Sequence, residues 1–162
     1  MLLLLIRHAH AGDRDPTRFP DDTLRPLSPK GRTAHRKVAR ALRDLGLMPG
    51  TIFSSPWLRA WETAGIVGRA TRPRVEPIAT PALASPPAMS RLGRALGPRT
   101  PDETVALVGH EPWLGELASL LLTGRANRLA IDFAKSAVLG MDLPAFEAGE
   151  GTLRFFLRPR FL

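Results

Sequence analysis

The chain has no cysteine. That excludes a disulfide framework, a thiol nucleophile and any thiolate metal site, and it fits a cytoplasmic setting. It also lacks any apolar run long enough to cross a bilayer, and it shows no basic start and cleavage site of an export signal, so a soluble, cytoplasmic protein without membrane contact is expected. Aromatic residues are few, and no aromatic platform of the kind that single-strand nucleic-acid binders use is visible. The net charge is +8, carried mostly by arginine. These cations are scattered through Arg14, Arg25, Arg36, Arg43, Arg72, Arg94 and Arg128 rather than gathered on a helix stripe. The charge therefore points to acidic partners in general and away from nucleic acid.

What is present is enough for one domain. With 162 residues, 44% of them apolar, the chain can bury a substantial core, and a single domain over 1–162 is expected. Leu2 to Ile6 is an unbroken aliphatic run that stops at Arg7 and His8. A run of that length without polar alternation reads as a central strand buried on both faces. A polar, Pro- and Asp-rich loop from Ala11 to Leu27 follows. Ser28-Pro29 then supplies an N-cap and a proline at the first helical position, and Ala34, Val38, Leu42 and Leu45 mark a buried helix face ended by Gly46. His35 inside that helix is expected to be solvated.

The rest alternates. Strands are expected at Thr51–Ser54, Arg74–Ile78 and Glu103–Val108. Helices are expected after the Ser55-Pro56 cap signal over Trp57–Val67 (with Leu58, Trp61, Ala64 and Val67 apolar), over Met89–Leu96, and around Leu114, Leu117, Ala118, Leu121 and Leu122. Ala137–Leu143 and Thr152–Leu157, joined by a Gly-rich turn, read as an antiparallel hairpin. This order predicts a three-layer α/β sandwich: a mostly parallel central sheet, helices on both faces, and an antiparallel C-terminal hairpin.

In an open parallel sheet, ligands bind beyond the carboxyl ends of the strands. Three such ends carry chemistry here: Arg7-His8, Ser54-Ser55-Pro56 leading to Arg59, and Gly109-His110. If the strands are parallel, two imidazoles and two guanidiniums face one crevice. Arginine presents a planar fork suited to phosphate oxygens and keeps its charge at neutral pH. A neutral histidine among them can attack phosphorus and split one difficult displacement into two. Two arginines beside the histidines would repel a divalent cation, and no carboxylate stands at metal-ligand spacing, so no metal is expected.

These segments resemble a known family. Leu5-Ile6-Arg7-His8-Ala9 is similar to the opening signature of the histidine phosphatase superfamily, the phosphoglycerate-mutase-like fold. The stretch from Ser54 through Arg59-Ala60-Trp61-Glu62-Thr63 resembles its second motif, and Val108-Gly109-His110-Glu111-Pro112 its third. The matches occur in the family's order across nearly the whole chain. The resemblance implies that His8 is the phosphorylated nucleophile, that Arg7, Arg59 and His110 form the phosphate pocket, and that no metal or organic cofactor is needed. His10 is a further candidate for contact with the phosphate or the substrate. Ala9 stands where the family usually has glycine, and Glu62 where glutamine is common.

One departure bears on substrate. Many members that cleave esters carry a Glu or Asp after the third strand to protonate the departing alkoxide. The corresponding stretch, Thr80 to Pro86, holds no acid. A phosphoramidate such as phosphohistidine needs no such help. With the short chain and the Arg25-Pro26-Leu27-Ser28 segment, this resembles the SixA-type branch, the protein phosphohistidine phosphatases. The resemblance implies a phosphorylated protein as partner, such as the phosphotransfer domain of a relay in signal transduction. A small phosphate ester, with Glu111, Glu62 or Asp13 as acid, is the alternative substrate. A non-enzymatic phosphate- or nucleic-acid-binding module is the competing reading outside enzymes.

Overall fold

A computed structural model describes residues 1–162. β1 (Leu2–Arg7) lies inside a six-stranded sheet, and Leu3 through Ile6 are fully buried. Successive side chains on a strand point to opposite faces. Leu3 and Leu5 accordingly join one apolar cluster, and Leu4 and Ile6 another. The second cluster packs under Val38 and Leu42 of α1 (Pro29–Asp44) and Ala60, Ala64 and Val67 of α2 (Leu58–Ala70). The first packs under Leu92 and Leu96 of α3 (Met89–Leu96) and Leu114, Leu117 and Leu121 of α4 (Trp113–Thr123). Two helices cover each face, giving the three layers.

The remaining strands are β2 (Thr51–Ser54), β3 (Ile78–Ala79), β4 (Thr104–Gly109), β5 (Val138–Asp142) and β6 (Thr152–Leu157). Their spatial order is β3-β2-β4-β1-β5-β6. The β1–β4, β2–β4 and β2–β3 pairs are parallel, and β5 is antiparallel to both β1 and β6. Register sets the level of the strand ends: Arg7 stands beside Gly109, and Ser54 beside Val108. Beyond the strands, the His8 N–H donates to the Gly109 carbonyl (3.0 Å) and the Ser55 N–H to the Val108 carbonyl (2.9 Å). His8, Ser55 and His110 thus leave the sheet at one edge.

Several expectations are corrected. The third strand is not Arg74–Ile78 but only Ile78–Ala79. Pro77 has no N–H to give a ladder. Val75 instead donates its N–H to the Gly68 carbonyl and the Thr71 hydroxyl at the end of α2. Along α1 the buried face runs through Gly31, His35, Val38, Ala39 and Leu42, while Leu45 is exposed and Ala34 only half-buried. His35 is fully buried rather than solvated. Ser28 does cap α1, accepting the Gly31 N–H. Ser55 does not cap α2. The N-cap position is Trp57, with no side-chain cap, and Trp61 lies outward, 37% exposed.

Candidate active site

His8 follows β1 directly and is 7% exposed. Its Nδ1 lies 2.7 Å from the Ala9 carbonyl oxygen. A carbonyl only accepts, so Nδ1 carries the proton and Nε2 keeps its lone pair in the neutral ring. Burial pushes the His8 pKa down from 6.5 to about 3; the Ala9 contact opposes this, and the charges of Arg59, Arg7 and Lys135 add to it. At neutral pH the ring is an uncharged base beside fixed cations.

The second imidazole faces the first. His110, one residue past β4, has its ring centroid 5.1 Å from that of His8. Its Nε2 is 2.8 Å from the Ser55 hydroxyl. Burial, then the proximity of His8, Arg59 and Arg7, lowers its pKa to about 3. Trp57 packs on its ring at 4.5 Å and Trp113 edge-on at 6.2 Å.

Arg59 stands in the first turn of α2. Its Nη1 donates to the Asp22 carbonyl (2.7 Å) and pairs with the Asp22 carboxylate (3.2 Å), and the guanidinium lies 4.6 Å from the Trp57 ring centroid. Asp22 sits in a 3-10 turn over Asp22–Leu24 and also pairs with Arg25 at 2.8 Å. Arg25 in turn donates to the Ala11 and Gly12 carbonyls. The long first loop therefore folds back to set Arg59. Thr63 joins the same elements: its hydroxyl accepts the Ala9 N–H (3.0 Å) and donates to the Arg59 carbonyl (2.6 Å). Arg7 ends β1, and its Nη1 donates to the Phe133 carbonyl.

Three buried polar atoms of this cluster have no hydrogen-bond partner: Arg7 Nε, Arg59 Nε and His110 Nδ1. An unpaired buried polar group is costly. An oxyanion with several acceptor oxygens is the ligand class such a cluster suits. No group of three or more His, Asp or Glu side chains stands where it could hold a metal ion.

Arg7, His8, Arg59 and His110 thus come together. His10 makes no hydrogen bond with these four. Its Nδ1 accepts the Gly12 N–H (3.2 Å) and lies 2.8 Å from the Ser28 hydroxyl, which places it in the framework of the loop. Glu62 also stands apart, accepting the Leu27 N–H and pairing with Arg32 at 2.6 Å. Sequence reasoning gave Ser55 and Thr63 no role of their own in the site, although both lie in the second motif, and it missed Asp22, whose local signal is its three-residue spacing to Arg25. The wall beyond His110 is made of Ala82, Leu83, Ser85 and Pro87. Apart from Leu83 these are half-exposed, and the wall contributes no carboxylate.

A model of the histidine phosphatase superfamily (branch 1) matches residues 3–84. An uncharacterized protein of Picosynechococcus sp. is 34% identical over 144 residues, covering 87% of this chain and 84% of its own. Among solved structures, the protein histidine phosphatase SixA complexed with tungstate superposes with a TM-score of 0.80 at 24% identity, covering 99% of both chains. A phosphohistidine phosphatase SixA described from Agrobacterium tumefaciens gives 0.75 at 22% identity, over 98% of this chain and 97% of its own. A mycobacterial glucosyl-3-phosphoglycerate phosphatase gives 0.66 at 19% identity, over 94% and 96%.

Proposed function

The chain belongs to the histidine phosphatase superfamily, and from that premise we propose that it hydrolyses protein phosphohistidine through a phospho-His8 intermediate. The His8 Nε2 lone pair attacks phosphorus in line. The P–N bond of the substrate breaks, and its electron pair leaves with the substrate imidazole, which departs neutral because its other ring nitrogen carries a proton taken from water. The His8 ring gains positive character, which the Nδ1–H bond to the Ala9 carbonyl stabilises. Arg7, Arg59 and His110 hold the phosphoryl oxygens and offset the charge that develops on them. Water then attacks phosphorus, the P–Nε2 bond breaks, and inorganic phosphate departs with neutral His8 restored.

The observation that carries the substrate class is the acid-free wall from Thr80 to Pro87. The nearby carboxylates are engaged elsewhere: Asp22 with Arg25 and Arg59, Glu111 with the Gly115 N–H at 2.9 Å. A substrate whose leaving group departs without a carboxylic acid suits this site. Its half-exposed rim suits access by a protein, of which a relay phosphotransfer domain is the leading candidate.

One observation favours a second reading. Burial raises the Glu111 pKa, and its carboxyl lies near enough to Arg7 to feel its charge. Glu111 would then serve as the acid for a small phosphomonoester. Phosphate release by wild type, His8→Ala and Glu111→Gln, from a phosphohistidine protein and from an alkyl phosphate, separates the two. The proposal expects selective turnover of the phosphohistidine protein, abolished in His8→Ala and retained in Glu111→Gln. Faster ester hydrolysis that depends on Glu111 would overturn it in favour of the second reading.

A further inference from the structure

We propose that Lys135 is a third phosphoryl-binding cation of this site, reaching the oxygens of the bound phosphoryl group opposite Arg7 and Arg59; this rests on His8 as the phosphorylated residue. The segment that carries Lys135 returns to the end of β1 just before β5 begins. Four hydrogen bonds from three donors fix it there. Arg7 Nη1 donates to the Phe133 carbonyl, the Arg7 N–H donates to the Ala137 carbonyl (3.1 Å), and the Ser136 N–H lies 3.2 Å and 3.3 Å from the Arg7 and His8 carbonyls. Ser136 is the one non-glycine residue with positive φ, at 68°, and it is 2% exposed. A left-handed serine is held only when its surroundings over-determine it. Lys135 is therefore presented beside His8 by a fixed backbone, on a flexible stem of its own.

Its electrostatic surroundings are those of an anion-binding site. Lys135 makes no salt bridge within 4.0 Å, although Arg7, Arg25 and Arg59 all act on it repulsively and only Asp13 opposes them. Partial burial and these neighbours lower its pKa, and its charge in turn bears on His8 and His10. Asp22 cannot relieve the crowding, because it is committed to Arg25 and Arg59. A lysine left among like charges gains most when a dianion enters. The transferring phosphoryl group spreads its charge over three oxygens, and a flexible ammonium can follow them from substrate to phosphoenzyme.

Orthophosphate binding by titration calorimetry to wild type, Lys135→Met and Lys135→Arg tests this, with melting curves recorded without phosphate. Loss of one charge-assisted contact is expected to weaken phosphate about tenfold or more in Lys135→Met. Lys135→Arg should recover most of that affinity, and neither variant should melt below wild type, because the side chain is exposed and its charged neighbours repel it. Equal affinity in wild type and Lys135→Met would overturn the proposal, as would equal weakening in both variants with lowered melting temperatures. Because orthophosphate is common to every substrate of such a site, the result stands apart from substrate class. An enzyme found to prefer alkyl esters, yet weakened for phosphate in Lys135→Met, would sink the phosphohistidine reading and support Lys135.

Discussion

His8, His35 and His110 are all held neutral by burial, with pKa values of about 3, 4 and 3 against the usual 6.5. At the site this keeps His8 and His110 uncharged at neutral pH. For stability it has a cost with a definite sign. Below pH 6.5 the unfolded chain takes up protons that the folded chain refuses, so stability is full above that pH and is lost as pH falls toward 4 and then 3. His35 isolates the effect, since both ring nitrogens are buried without partners and it touches no part of the chemistry. Removing it as His35→Leu should abolish on the order of 2–3 kcal/mol of the stability lost between pH 7.5 and 4.5. Urea unfolding at the two pH values measures this, and identical losses in both proteins would contradict it. Arg59 makes a second residue-scale case. Its fork is held by Asp22 and stacked on Trp57, so a lysine cannot reproduce it. Arg59→Lys and Arg59→Ala should both lower kcat/KM at least about a hundredfold. Near-wild-type activity of Arg59→Lys would show that a point charge suffices.

The elements that position these residues were legible where one local signal decided them. β1 followed from five adjacent aliphatics, and the start of α1 from Ser28-Pro29. Arg7, His8 and His110 were legible because each sits at or one residue beyond a buried strand end. What failed had its cause elsewhere in the chain. β3 is two residues long because the preceding segment is tied to α2, and Ser55 spends its hydroxyl on His110 instead of capping a helix. His35 lies on the buried face of α1, whose start is held to the exit of β1 by the Ser28 N–H bond to the His10 carbonyl (3.0 Å), and the segment of Lys135 meets β1 only through a long-range return of the chain. The same contact makes a prediction for α1. At Gly31 an added Cβ would fall 2.0 Å from the His10 carbonyl oxygen. Gly31→Ala must therefore push α1 away from the β1 exit, and it should cost roughly 2 kcal/mol or more and slow turnover. Gly50→Ala, with nothing within 4 Å, is the control expected to leave both unchanged. A Gly31→Ala protein as stable and active as that control would show that the two segments move independently.

At the scale of the molecule, the net charge of +8 is dispersed, yet Arg7, Arg25, Arg59 and Lys135 act on one another at the carboxyl edge of the sheet. Such a field draws anionic substrates in and is screened over about 8–10 Å at ordinary salt. Raising ionic strength from low to physiological should lower kcat/KM several-fold while leaving kcat nearly unchanged. An equal fall in both would place the effect in the chemistry rather than in the encounter. The fold thus supplies one crevice, bounded by three parallel strand ends, where a neutral imidazole meets fixed positive charge. That His8 carries the phosphoryl group is the central claim. Rapid quenching with a protein labelled at phosphohistidine with radioactive phosphate tests it most directly. Transient, acid-labile label on His8 of wild type, absent from His8→Ala, is the result expected. Label that is stable to acid, that sits on another residue, or that persists in His8→Ala would contradict it.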